Sequence, residues 1–275
     1  MIVLGKFDGI LICTDLDGTL LNSNREISEE NLSAIEYFKS EGGYFTFVTG
    51  RPSHTAGKIY KMVSPNAPYV CLNGGGIYDG KADKFISFET VPKDKLFVML
   101  DFVAEFMPEM GIQANTEKAI YFCRESEAMN NFRKNTGYPL NSTDYRDIEE
   151  PIQKILFVHG DDAKIKALSE ALLSHSLASE FDFIRSEETL YEILPKGVSK
   201  GRGMMKLADI LGVTKTVAVG DYFNDISMIK AAKVGIAVGN AVDEAKEAAD
   251  IVTVDNDHSA IAKIIYDIEN GKIRV

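Results

Sequence analysis

The chain has 275 residues, which at roughly 150 residues per domain points to about two domains. Apolar residues make up 45% and charged residues 26%, the usage of a globular chain with a large core, so a disordered chain is excluded. The net charge of −11 opposes docking onto phosphate backbones or anionic lipid, and no nucleic acid and no membrane partner is expected.

A small anionic substrate stays open, because a bound metal ion outweighs a distant field. The N-terminus, Met1-Ile2-Val3-Leu4-Gly5-Lys6-Phe7-Asp8, is broken by charge too early for a signal-peptide core. No stretch approaches the roughly 20 apolar residues that span a bilayer, so a cytoplasmic location is expected. Ile10-Leu11-Ile12-Cys13-Thr14 is apolar on both faces and predicts a central parallel strand. Ser28 is placed to cap a helix whose Leu32, Ile35 and Phe38 recur at helical spacing, and Gly42-Gly43 ends it. Strands are predicted over 44–48 and 69–72, with a helix between them. The first stops at Thr49-Gly50-Arg51-Pro52 and the second at Asn73-Gly74-Gly75-Gly76. Such alternation predicts right-handed crossovers and a parallel sheet.

The middle of the chain has another rhythm. Strands are predicted over 84–89, 112–115, 119–122, 154–158, 181–185 and 190–194, and helices over 94–107, 126–135 and 163–177. The close pair around Thr116-Glu117-Lys118 reads as a hairpin, so this sheet is at least partly antiparallel. The α/β grammar then resumes: a helix lined by Met204, Leu207, Ala208 and Leu211, closed by Gly212, precedes a strand over 216–219 that stops at Gly220-Asp221. A short helix, strands over 235–238 and 251–254, and a last helix striped by Ile261, Ile264, Ile265 and Ile268 complete it. The expected architecture is a doubly wound parallel-sheet (Rossmann-like) α/β core, residues 1–80 and 191–275, with an inserted α+β domain, residues 81–190. No oligomeric state is legible.

In open α/β sheets a ligand sits beyond the carboxyl ends of the strands. Three polar collections fall there: Asp15-Leu16-Asp17-Gly18-Thr19-Leu20, Thr49-Gly50, and Gly220-Asp221 with Asn224-Asp225 beyond. Crowded carboxylates persist only if a cation joins them or one is protonated. Oxygen ligands from Asp15, Asp17 and Asp221, without His or Cys, suit a hard ion, and Mg²⁺ is the natural choice. Thr49 and Gly50 offer a hydroxyl and an open N–H to an anion. Lys200, at the start of the Met204 helix, and Lys196 nearby are rival phosphate ligands. Asn224 can donate to a phosphoryl oxygen, Asp225 can orient the lysine, and Arg51 either pairs with a carboxylate or meets substrate.

Other chemistries find no footing. No P-loop or Gly-x-Ser-x-Gly occurs, and Gly74-Gly75-Gly76 lacks the dinucleotide-binding spacing. His54, His159, His175 and His258 show no metal-ligand spacing. Cys13, Cys71 and Cys123 are odd in number and far apart, which suggests neither a disulfide framework nor a zinc cluster.

These motifs resemble the haloacid dehalogenase (HAD) superfamily, specifically its Cof-like phosphatases. Asp15-Leu16-Asp17-Gly18-Thr19-Leu20 matches the opening loop, and Thr49-Gly50-Arg51-Pro52 the second motif. Gly197-Val198-Ser199-Lys200-Gly201 is similar to the third, which selects Lys200 over Lys196. Gly220-Asp221-Tyr222-Phe223-Asn224-Asp225 resembles the fourth, and Gly239-Asn240-Ala241 the turn that follows it. The resemblance implies Asp15 as nucleophile, Asp17 as general acid and then base, and an α/β cap in the insert. It also implies Mg²⁺ on the Asp15 and Asp221 side chains and the Asp17 carbonyl. Thr49, Gly50, Lys200, Asn224 and the backbone near Leu16 would hold the phosphoryl group. The implied activity is hydrolysis of small phosphorylated metabolites, sugar phosphates first. The rivals are a phosphotransferase or mutase using the same intermediate, a non-catalytic sugar-phosphate sensor, and a receiver domain, for which the chain is too long. Asp257-His258-Ser259-Ala260 and the bulky Tyr222-Phe223 depart from the family pattern away from the catalytic positions.

Overall fold

The computed structural model describes residues 5–275, so Met1-Ile2-Val3-Leu4, the start of the N-terminal stretch read above, lies outside it. Two compact units emerge: one runs to Ser87 and resumes at Ser199, and the other is Phe88–Val198.

Unit 1 begins with β1 (Ile10–Thr14), α1 (Glu29–Ser40), β2 (Tyr44–Phe47), α2 (Ser53–Val63), β3 (Tyr69–Cys71), β4 (Gly76–Asp79) and β5 (Lys84–Phe88). Unit 2 contains α3 (Lys93–Phe106), β6 (Gly111–Thr116), β7 (Ile120–Arg124), α4 (Glu127–Thr136), β8 (Ile152–Val158), α5 (Asp162–Ser174), β9 (Phe181–Glu187) and β10 (Leu190–Pro195). Unit 1 resumes with α6 (Lys200–Leu211), β11 (Lys215–Gly220), α7 (Ile226–Ala231), β12 (Val234–Ala237), α8 (Asp243–Ala248), β13 (Ile251–Val252) and α9 (Ala260–Glu269).

The main sheet of unit 1 has the order β13-β12-β11-β1-β2 and is parallel throughout. From β1 the chain winds outward through β2 on one side, and β11 to β13 build the other, so the winding direction reverses beside β1. Strand β1 is buried on both faces because Ile12 packs into one hydrophobic layer and Leu11 and Cys13 into the other. The first layer takes Ala34, Ile35 and Phe38 of α1 with Ile261, Ile264 and Ile265 of α9; the second takes Met204, Leu207 and Ala208 of α6. Ser28 caps α1 by accepting from the Asn31 N–H.

Strands β3, β4 and β5 form a separate three-stranded sheet, with β3 and β4 antiparallel. Strand β3 ends just before the triple glycine, where the chain turns and runs back as β4, so β3 pairs outside the parallel sheet in which the alternation placed it. Strand β5 also belongs here and not to the insert, where its sequence placed it. Its residues are alternately exposed and half-buried, a pattern that marks an edge strand without naming its sheet.

Unit 2 is one five-stranded antiparallel sheet, β7-β6-β8-β10-β9. Helices α3 and α5 pack on one face, and α4 covers part of the other. Strand β10 sits in this sheet, paired with β8 and β9, so unit 2 extends to Val198 and not to 190.

Candidate active site

The carboxyl edge of the parallel sheet carries the chemistry. After β1 the Asp15 N–H donates to the Val219 carbonyl at 2.8 Å, which extends the pairing of β1 with β11 one residue past the strand. The chain then turns tightly, and Leu21 N–H returns to the Leu16 carbonyl at 2.8 Å. Leu16 itself is fully buried. Gly18 has φ +81°, and a Cβ there would lie 2.6 Å from an Asp221 carboxylate oxygen, so both the backbone angle and the close approach require glycine. Thr19 donates its hydroxyl to Asp221 Oδ1 at 2.5 Å, and Asn240 donates to the Gly18 carbonyl at 2.8 Å.

Lys200 is the first residue of α6, whose cap is Ser199, and its side chain is 1% exposed. Its ammonium lies 2.6 Å from Asp15 Oδ1 and 2.5 Å from Asp225 Oδ1. Asp225 is fully buried, and its other oxygen accepts from the N–H groups of Asp221 and Tyr222 at 2.9 and 3.0 Å. Asp225 thus ties the lysine to the loop after β11. Lys196 points elsewhere, to Asp182 at 3.0 Å.

Carboxylate oxygens of Asp15, Asp221 and Asp225 come within 4.8 Å of one another. Burial, then the charge of Asp225, pushes Asp15 well above the usual carboxylate range, with Lys200 pulling the other way. Asp221 is raised to about 7 by burial and by Asp225, against the bond from Thr19. Burial disfavours the Lys200 ammonium, but Asp15 and Asp225 outweigh it and hold its pKa above the ordinary range. The charge count decides the balance. Three carboxylates face one ammonium, so the excess is negative.

That excess sits on hard oxygen atoms, the donor set that a divalent cation prefers. Asp225 is engaged by three donors. Lys200 takes one oxygen of Asp15 and Thr19 one of Asp221, so each of these two carboxylates keeps a second oxygen to offer. The residues present therefore fit a divalent metal, with Asp15 and Asp221 as the side-chain ligands.

Asp17 is placed differently. Both of its oxygens accept from Arg51, at 2.8 Å from Nε and 2.6 Å from the terminal nitrogen, in a bidentate pair that is partly exposed. Its carboxylate is therefore engaged by Arg51, and the third carboxylate of the buried group is Asp225. Arg51, left between two roles by the sequence, pairs with a carboxylate.

Thr49 is buried, and its hydroxyl accepts from the Arg51 N–H at 3.1 Å. Asn73 knits this loop to Asn224: its N–H donates to the Thr49 carbonyl at 3.0 Å, and its side-chain oxygen accepts from Asn224 Nδ2 at 3.1 Å. Gly50 packs beside it, where a Cβ would lie 3.1 Å from Asn73 Oδ1. Asn73 holds φ +54°, a left-handed conformation that asparagine tolerates better than most residues. Sequence reasoning passed over Asn73 and gave Asn240 no role; the glycines beside Asn73 were the available signal.

A family model of haloacid dehalogenase-like hydrolases matches residues 12–265. The chain belongs to this family. A 5-amino-6-(5-phospho-D-ribitylamino)uracil phosphatase of Bacillus subtilis is 33% identical, covering 95% of this chain and 98% of that protein. A second B. subtilis phosphatase of the same name is 28% identical, with 93% and 96% covered. A haloacid dehalogenase-like hydrolase from Bacteroides thetaiotaomicron superposes with a TM-score of 0.82 at 28% identity, covering 95% of this chain and 99% of that one. The chain is a HAD-type phosphatase with an α/β core and an inserted cap domain. No helix among the described residues is long and apolar enough to cross a membrane.

Proposed function

We propose that this HAD hydrolase is a Mg²⁺-dependent phosphatase of small phosphorylated metabolites that works through an aspartyl-phosphate on Asp15. The observation that carries the proposal is the cluster of Asp15, Asp221 and Lys200, drawn from the residues just past β1 and β11 and from the start of α6. Asp15 attacks phosphorus with one carboxylate oxygen, and the ester P–O bond breaks. The leaving alkoxide takes a proton from Asp17. Water then attacks the acyl phosphate, Asp17 takes the water's proton, and phosphate departs with Asp15 restored.

Lys200, Thr49, Gly50 and Asn224, with the backbone at Leu16, hold the phosphoryl oxygens. Asn73 keeps the Asn224 amide nitrogen turned one way, so that its second hydrogen serves a phosphoryl oxygen. Mg²⁺, held by the Asp15 and Asp221 carboxylates and the Asp17 carbonyl, supplies positive charge to the transferring group when bound. Proton donation from Asp17 requires its pair with Arg51 to open. Sugar phosphates and phosphorylated polyols are the leading substrates, since both Bacillus relatives are named for a phosphate on a ribityl chain.

Asp15→Asn should abolish release of phosphate from an aryl phosphate while leaving the far-ultraviolet circular dichroism unchanged. EDTA should stop the parent enzyme and Mg²⁺ restore it. Undiminished turnover in Asp15→Asn sinks the proposal, and an isomerised sugar in place of free phosphate makes the enzyme a mutase.

A further inference from the structure

Two stretches near the C-terminus are left unused by the proposed chemistry: the turn Gly239-Asn240-Ala241 and the segment Asp255-Asn256-Asp257. Both belong to unit 1, and both bond to the loop after β1. Asn240 is exposed, yet its side chain donates to the Gly18 carbonyl at 2.8 Å. The oxygen of the same amide accepts from the Asn256 N–H at 3.0 Å. Asn256 in turn donates its own side-chain NH₂ to the Leu21 carbonyl at 2.9 Å, in a bond buried from solvent. The loop is therefore gripped at two points, Gly18 and Leu21, from a single platform.

The platform also holds the loop after β11. Val242 N–H donates to the Asp221 carbonyl at 2.9 Å, and Gly239 N–H to the Val254 carbonyl at 3.0 Å, just past β13. Residues 239–242 thus tie the two loops together. Position 240 must give a hydrogen to one backbone carbonyl and a lone pair to one backbone N–H. An amide does both; alanine does neither, aspartate only the second and lysine only the first. What the grip fixes is the peptide joining Gly18 to Thr19. Gly18 packs against the Asp221 carboxylate, and the Thr19 hydroxyl donates to it. The Asp17 carbonyl, a proposed metal ligand, stands one residue earlier. An exposed hydrogen bond adds little to stability, because water replaces it at small cost. Its placement on both loops that carry metal ligands gives it a different task.

We infer that Asn240, oriented by Asn256, is a positioning residue of the metal site, holding the Gly18–Thr19 peptide so that the loop after β1 presents its ligands together with Asp221. The inference deepens the metal-dependent reading above and rests on it. The test measures Mn²⁺ binding to metal-stripped protein without substrate, read from the electron paramagnetic resonance signal of the free ion. It compares the parent with Asn240→Ala and Ser23→Ala. Ser23 bonds to Asp257 through its N–H and its hydroxyl, at 2.8 and 2.7 Å, and lies beyond Leu21, outside the gripped stretch.

Asn240→Ala should bind Mn²⁺ about 10- to 100-fold more weakly than the parent, the usual cost of losing a group that orients metal ligands. Ser23→Ala should bind it as the parent does. In EDTA the thermal midpoint of Asn240→Ala should lie within about 4 °C of the parent's. Amide hydrogen exchange over residues 17–21 should be about 10-fold faster in that variant, as one restraining bond is lost. Unchanged Mn²⁺ affinity or unchanged exchange in Asn240→Ala overturns the inference. An equal loss of affinity in Ser23→Ala, or a larger fall in the midpoint, also overturns it, since the role is then general support of the fold. A parent enzyme that takes up no Mn²⁺ overturns the metal-dependent reading, and the inference with it. A parent that binds the ion no more tightly than Asn240→Ala overturns the inference and leaves that reading standing.

Discussion

Lys200 is held between two buried carboxylates, and its removal exposes what each of them costs. In Lys200→Met, Asp15 and Asp225 lose a shared cation while still out of water. Breaking a buried pair in this way costs roughly 3–5 kcal/mol, a loss that urea unfolding will read directly. Asp17 answers to a different measurement. As general acid it matters most when the leaving group is a poor one. Asp17→Asn should therefore lower kcat/KM, which reads only through the departure of the leaving group, by about 10²- to 10⁴-fold on an alkyl phosphate and much less on an aryl phosphate, whose oxyanion departs unaided. Equal losses on both substrates would remove Asp17 from that role. At this scale Asp15, Thr49 and Asp221 were legible because each stands where an apolar run stops, and parallel strands bring those stops to one edge, whereas Lys200 opens a helix and is singled out from Lys196 only by the family resemblance. Asn73 was not legible, since its side chain reaches a residue 151 positions away. The choice between partners for Arg51 depends on a side-chain rotamer, which no spacing encodes.

Among the elements, the turn between β3 and β4 has the largest consequences for its length. Gly74 has φ +101°, and a Cβ on it would stand 1.9 Å from the Ser199 carbonyl oxygen, at the cap of α6. Gly203, one turn into that helix, approaches Gly74 so closely that its own Cβ would lie 2.7 Å from the Gly74 Cα. The turn thus fixes where α6 begins, and with it where Lys200 emerges. Gly74→Ala forces both a disfavoured backbone angle and a backward shift of the helix start. Strain of this kind costs about 1–3 kcal/mol in thermal unfolding. Inorganic phosphate should also inhibit the surviving folded enzyme more weakly. Strands buried on both faces, such as β1, and capped helices, such as α1, could be read from composition. Strand β5 could not: its alternation marks an edge, and an edge strand takes its sheet from neighbours far along the chain.

For the molecule as a whole, the buried carboxylates link stability to pH and to metal. The Asp221 carboxyl is raised to about 7 in the folded chain from an ordinary value of 3.8, so folding favours its protonated form. Its contribution to stability is complete below about pH 4 and is lost as the pH rises through about 7. The metal-free enzyme should accordingly melt at a lower temperature at about pH 8 than at about pH 5, provided the comparison is made in EDTA. A divalent cation binds the ionised carboxylates, so added Mg²⁺ should raise the melting temperature more at the higher pH. An equal gain at both values would detach the metal from Asp221.

The pairing of β1 with β11 joins residues 10–14 to residues 215–219. A ribosome delivers β1 first, and its neighbour β11 only after some two hundred more residues have been added. Until then β1 lacks one of its two flanking strands, the lysine has not been made, and the carboxylate at position 221 does not exist. No nascent fragment that ends within unit 2 can hydrolyse anything by this route. Maturation of the enzyme is therefore expected to wait until β11 and the loop after it have been made, and closing so long a loop makes its assembly slow relative to the helices formed along the way.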